Sequence, residues 1–265
     1  MLKSRMLMAI TLMSAAAAPV VAQEDRRPTV MVLDFNNGSF GKDRADYDAL
    51  GKGISDFLIT DLAGNANIRV VDRDKLQAIL AEQNLGREGR VSDETMVKIG
   101  KILGAHHIVT GGFITDSRGN LVLNARAIET STSRIEHTER VNDKAENFID
   151  AIGKLARALN AGLKLPQMER RTASAAPTTN PGSERATAAP ATNTPAASQV
   201  AYAAPAATPQ RVPYAAVLLY SRALEQKDKG NTSEAVVLFR QSLQKFPEFA
   251  KARNELSKIE TRPGD

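Results

Sequence analysis

The sequence predicts a mixed α/β domain over residues 27–165, with its elements in the order β-α-β-α-α-β-β-β-α. Three observations lead there. Apolar residues recur at strand spacing in some stretches and at helical spacing in others, and the two rhythms alternate along the chain. Residues suited to helix caps and tight turns stand at nearly every change of rhythm. After residue 165 the composition shifts to Ala, Pro and Thr, then returns to a helical pattern near residue 213. The mixed sheet is therefore expected to precede a disordered linker over 166–212 and a small all-α module over 213–262.

The first strand is Thr29 to Phe35, a nearly continuous apolar run of the kind covered on both faces. Asn36 to Asp43 is polar and holds glycines, which predicts a loop. A helix from Asp46 places Tyr47, Leu50, Ile54, Phe57, Leu58 and Leu62 on one broad face, and Gly64-Asn65 ends it. Ile68, Val70 and Val71 form a short second strand. Asp72 stops that strand and can cap the next helix, which carries Leu76, Ile79 and Leu80 and ends at Gly86. Another helix starts at Ser92, with Asp93 and Glu94 at its positive end and Lys98 and Lys101 towards its negative end; it stops at Gly104. His106 to Ile114, Leu121 to Ala127 and Arg134 to Val141 follow with short turns between them, a three-stranded antiparallel meander. A last helix from Ala145 carries Phe148, Ile149, Ile152, Leu155 and Leu159. About 140 residues suffice for one core.

Eight of the twelve prolines lie between Pro166 and Pro213, where Val200 and Tyr202 are nearly the only large apolar residues. Such a stretch cannot bury enough surface to offset its ordering entropy. As a coil it would span roughly 35–40 Å, from about 5–6 Å × √n. Three helices are then expected. The first runs from Tyr214 to Lys229 and turns at Gly230. The second opens on a capping-box-like Asn231 and Glu234 and carries Leu238, Phe239 and Leu243; the third carries Phe249, Ala252, Leu256 and Ile259.

The amino terminus reads as an export signal over residues 1–22. Lys3 and Arg5 precede an apolar run from Met6 to Ala18 that is too short to span a bilayer, and Val20-Val21-Ala22 supplies the small residues a signal peptidase requires. The expected cut lies between Ala22 and Gln23. It removes two cations and no acid, lowering the net charge from +5 to +3. A mild excess spread along the chain implies no nucleic-acid partner. There is no cysteine, hence no disulfide, no thiolate metal site and no lipid-bearing Cys. No later stretch approaches the roughly 20 apolar residues of a membrane helix, so no transmembrane segment is expected. The predicted location is the periplasm, without a lipid anchor.

No catalytic, cofactor-binding or metal-binding residue can be named. His106 and His107 are adjacent on a strand and face opposite sides, so regular geometry keeps them from sharing one ion; His137 lies two strands away. Gly51-Lys52-Gly53 lacks the upstream glycine and following hydroxyl of a phosphate loop, and lies inside a helix. Small residues there suit close approach of that helix to the sheet. Asp34, Asp72, Arg73 and Asp74 are charges at strand ends, where capping and local ion pairs account for them. No Gly-x-Ser-x-Gly elbow occurs. The expectation is a protein that is not an enzyme and needs no cofactor.

Two resemblances follow from these residues. The runs VMVLDFNN, ALGKGISDFLITDLAGNANIRVVDRDKLQAILAEQNLG and KIGKILGAHHIVTGGF resemble the CsgG family of curli-type assembly and secretion components, related in fold to the amino-terminal domain of TolB. The resemblance is placed on nearly all of the first domain. It implies a non-enzymatic exported domain that associates with itself or with envelope partners, including outer-membrane secretion components. This chain departs from that pattern in having no lipidation cysteine, and in turns too short to leave a membrane-spanning hairpin. The second resemblance is to a tetratricopeptide repeat: Ala223, Gly230, Ala235, Phe239 and Pro247 fall at that family's spacing, with Ser242 where Ala is usual and Arg222 at an apolar position. One repeat with a capping helix is short of the roughly three that such arrays need. The module is then either marginal alone or completes its core against another copy, another protein or the first domain.

The expected function is a periplasmic CsgG-like assembly or secretion accessory protein. It self-associates or scaffolds envelope proteins, recruits a protein partner through its C-terminal helices, and takes part in curli-type export. The alternative is a monomeric periplasmic adaptor that regulates a cell-envelope enzyme.

Overall fold

The structure is a computed structural model and describes residues 27–42, 44–82, 92–163 and 211–261. The export segment, its cleavage point, Gly86 and all but the last residues of the linker lie outside these residues. A six-stranded mixed sheet forms the centre. Its strands are β1 (Thr29–Val32), β2 (Asn36–Asn37), β3 (Arg69–Val70), β4 (His107–Thr115), β5 (Asn120–Glu129) and β6 (Arg134–Lys144). The order is β3-β1-β4-β5-β6, with β2 beside β4. Pairings among β1, β2, β3 and β4 are parallel, while β4-β5 and β5-β6 are antiparallel. The predicted mixed α/β architecture and the meander are present.

Alternation along the strands divides the apolar residues between two faces. Val30, Val32, Val109, Phe113, Leu121 and Leu123 face α1 (Leu50–Ala63) and α4 (Phe148–Gly162). Met31, Leu33, Ile108 and Ile128 face α2 (Arg73–Glu82) and α3 (Asp93–Ile102). This is why β1 reads as a nearly continuous apolar run. Each large side chain moved from water into these clusters contributes about 1.5–3 kcal/mol.

The helix starts are settled locally. Asp72 Oδ1 accepts from the backbone N–H of Asp74 and Lys75, and Ser92 Oγ accepts from that of Thr95. Gly104 takes φ +64, as a residue ending a helix in the left-handed region must. Several local expectations differ from the structure: the first strand ends at Val32 rather than Phe35, and the helix expected from Ala145 opens as a 3-10 turn, Ala145–Asn147. Asn36–Asn37 is a strand rather than a loop, because Gly112 leaves room for its backbone and Asn37 is held by Arg44 and Asp48. The helix expected from Asp46 begins as a 3-10 turn, Arg44–Tyr47, and becomes α-helical only at Leu50. β6 runs to Lys144 because Asn142, Asp143 and Lys144 still pair with β5; their polarity hid this. Asn231 forms no side-chain cap; its Nδ2 donates to Gln226 Oε1 at 2.8 Å.

The last three helices are α5 (Tyr214–Asp228), α6 (Thr232–Lys245) and α7 (Ala250–Glu260). Gly230, at φ +81, turns α5 into α6. Among the described residues there are thus seven α-helices, the last three forming a helical module. Its core is completed by the same chain. Ala216, Val217, Tyr220, Leu224, Phe239 and Phe249 join the cluster that holds α1, α4 and one sheet face.

Candidate functional site

The feature with the most unusual chemistry is the seam where α5 and α7 meet α1 and the start of α2. Local sequence prepares both sides. Gly53, inside α1, removes the side chain that would collide with Ser221, so α1 and α5 approach closely. Gly51, two residues and so about half a turn earlier, rests against the Phe35 carbonyl. The sequence-based expectation that small residues bring this helix close to the sheet therefore holds for Gly51. Gly53 serves a second helix instead.

Around this crossing lies an aromatic group. Phe57 of α1 stacks on Phe249, with centroids 6.1 Å apart and rings 10° from parallel. It also lies 5.9 Å from Tyr220 and 6.2 Å from Phe148. The Lys251 ammonium sits 5.1 Å from the Phe57 centroid, a cation–π distance. Tyr220 is fully buried, and its hydroxyl donates to Asp56 at 2.8 Å. Asp56 also receives the Lys251 ammonium. Burial and the neighbouring Asp56 carboxylate push the Tyr220 phenol well above its ordinary pKa, so it stays a donor.

Beyond the aromatics the seam becomes ionic. Asp228, at the end of α5, receives Arg73 in a two-pronged contact, Nη1 to Oδ1 at 3.0 Å and Nη2 to Oδ2 at 2.6 Å. Lys52 of α1 donates to the same Asp228 Oδ2 at 2.6 Å and to Asp34 at 3.1 Å. Ser55 Oγ donates to the other Asp34 oxygen at 2.7 Å. Arg73 is only 5% exposed, and its Nε has no partner among the described residues. Burial alone would lower the Lys52 and Arg73 values, yet the facing carboxylates of Asp228 and Asp34 raise both. Burial would raise Asp228; its bonds to Arg73 and Lys52 outweigh that and hold its carboxyl below the usual range. Next to it, Lys227 bridges Asp74 at 2.8 Å and Glu255 at 2.6 Å, and Lys258 donates to Glu255 at 2.6 Å. Despite burial, these cations depress the Asp74 and Glu255 carboxyls. A small cleft of about 270 Å³ lies against Arg73, Asp74, Tyr220, Lys251 and Glu255.

Four residues singled out in the sequence return here, three of them with altered roles. Asp72 does cap α2. Arg73 is not a local partner: its carboxylate is 155 residues away. Asp34 is reached from α1, and Asp74 from α5. Arg222, the charged residue at an apolar repeat position, reaches the Asp46 carbonyl at 3.1 Å and its carboxylate at 3.3 Å. Sequence reasoning did not select Tyr220, Lys227, Asp228, Lys251 or Glu255. The one available hint was Gly53 itself, which announces a close neighbour without naming it.

The histidines make separate local contacts. His106 Nδ1 accepts from the Thr29 N–H at 3.1 Å, and His107 Nδ1 lies 2.7 Å from Glu136. His137 packs beneath Gly162, where any side chain would strike its ring. Among the described residues, no group of three or more His, Cys, Asp or Glu converges as a metal site would require. The arrangement at the seam binds charge against charge.

Residues 10–116 match the family model described as curli production assembly/transport component CsgG. The match ends at Asp116, before β5, β6 and α4, and so covers less of the α/β unit than the resemblance drawn from the sequence. No curated protein matches the chain. Among solved structures, the C-terminal domain of LpoB from Escherichia coli is similar at 16% identity and TM-score 0.36, covering 44% of this chain and 83% of that one. TolB from Acinetobacter baumannii is similar at 15% identity and TM-score 0.36, covering 52% and 29%. A PelC dodecamer from Paraburkholderia phytofirmans is similar at 9% identity and TM-score 0.32, covering 52% and 90%. No helix among the described residues is long and apolar enough to cross a membrane.

Proposed function

We propose that this protein is an envelope accessory that scaffolds protein assembly or secretion, with the α/β unit as its assembling part. The CsgG match over residues 10–116 carries this reading. In this reading residues 1–22 direct export to the periplasm, 27–165 form the assembling domain, 166–212 connect, and 213–262 form a tetratricopeptide-like module that contacts partners. Self-association, outer-membrane secretion components as partners and a part in curli-type export belong to the same proposal.

Light scattering on size-exclusion fractions of the mature chain tests it. The expected outcome is a defined multimer; a strict monomer up to high micromolar concentration refutes the assembling role. In that event, capture of cell-wall enzymes from the periplasm would favour the rival monomeric adaptor.

A further inference from the structure

The seam between α5 and the α/β unit is built differently at its two ends. Near the start of α5, Ala216 and Val217 continue the apolar core that contains Phe148. At the end of α5 the contact is ionic and largely removed from water: Arg73, Lys52, Asp34 and Asp228 lie within bonding distance of one another. Buried ion pairs add little net stability compared with apolar packing, but they make the contact depend strongly on each member. Asp228 is the member that the module supplies. Remove it, and Lys52 and Arg73 are left with Asp34 alone, which Arg73 reaches only at 4.0 Å.

The α/β side of this contact has the features of a carboxylate receptor. The Arg73 fork matches the two oxygens of a carboxylate. Lys52 adds a third donor from a different helix, held in place by Asp34, which is itself oriented by Ser55. Arg73 stands in the first turn of α2, where the backbone dipoles favour an anion. Its buried, unpartnered Nε is donor capacity that Asp228 leaves unused.

We infer that Lys52 and Arg73 form a carboxylate receptor that Asp228 occupies in cis, so that α5–α7 is a latch with which an acidic residue of a protein partner competes. Module docking and engagement of that partner at this site exclude one another. The inference deepens the scaffolding function and names the chemistry of the partner, but it is testable on the protein alone, so its failure is distinct from failure to assemble.

Hydrogen exchange of the full mature chain provides the test, comparing wild type with Asp228→Ala. The α5 amides are expected to lose at least tenfold in protection while those of β4 and β5 keep theirs. Excess sodium acetate should restore most of the α5 protection, and sodium chloride at equal ionic strength should not. Asp228→Ala combined with Arg73→Met should ignore acetate. Equal loss in α5 and the sheet overturns the inference, because the helices would then be an inseparable layer rather than a latch. So does unchanged protection, or acetate acting no better than chloride. Should the Ala variant fold poorly, Asp228→Asn keeps the volume without the charge; selective loss in α5 supports the latch and a uniform change refutes it.

Discussion

Replacing Asp228 by Asn removes one negative charge and leaves the shape of the seam almost intact. The native carboxylate accepts two guanidinium donors and one ammonium, at 2.6–3.0 Å. An amide cannot neutralise both cations, and its NH2 would face a donor. Arg73 and Lys52 are 6% and 23% exposed at the side chain, so water cannot fully take over. Breaking such a pair from one side costs about 3–5 kcal/mol. At 2–4 °C per kcal/mol this is a fall of roughly 6–20 °C in the transition that releases α5–α7, with the sheet's own transition moving less. Arg73→Met should be costly for a related reason, since it leaves Asp228 with Lys52 only. The informative variant carries both changes. It strands neither charge, because Lys52 retains Asp34. Its loss should be smaller than the sum of the single losses, by at least about 1 kcal/mol in denaturant titrations. If the two losses simply add, the charges are not coupled and the reasoning about the seam is wrong.

Two further outcomes follow from the same contacts. Asp228, Asp74 and Glu255 have folded values below those of the unfolded chain. Their stabilisation is therefore complete above the unfolded values near pH 4 and is lost as the pH falls through the folded ones. Thermal melts should show a steep loss of Tm below about pH 4 in wild type, and a shallower one in Asp228→Asn; parallel profiles would contradict the assignment. Gly53→Ala should destabilise by about 1–3 kcal/mol through overpacking against Ser221. Gly53→Ala with Ser221→Ala should recover most of that loss in denaturant titrations, because it deletes the hydroxyl that the new methyl meets. No recovery would mean that the strain lies within α1.

The parts of the fold that sequence made legible are those decided within a few residues. β1 was legible because both of its faces are buried, so Val30, Met31 and Val32 follow Thr29 without a charged residue among them. Asp72 and Ser92 were legible as caps because their acceptors meet backbone donors two or three residues on. The turn at Gly230 needed only its positive φ. One local signal failed: Asn231 looked like a cap, but its side chain donates to Gln226. The candidate site was the least legible part. Arg73 and Asp34 were visible as charges, but nothing near them in the chain says that they are buried or what they face.

The sequence by itself determined the mixed α/β class, the alternation of strands and helices and the helical character of the last fifty residues. These follow from periodicity, capping and composition, which act at short range. Only the tertiary structure decided which surface those helices pack against. Bringing α5 onto α1 depends on Gly53 meeting Ser221 and on Asp228 meeting Lys52 and Arg73, contacts that span 155–176 residues. A charge buried against a distant partner and a charge held in water look the same in a sequence, because burial, not residue type, sets the strength of the interaction.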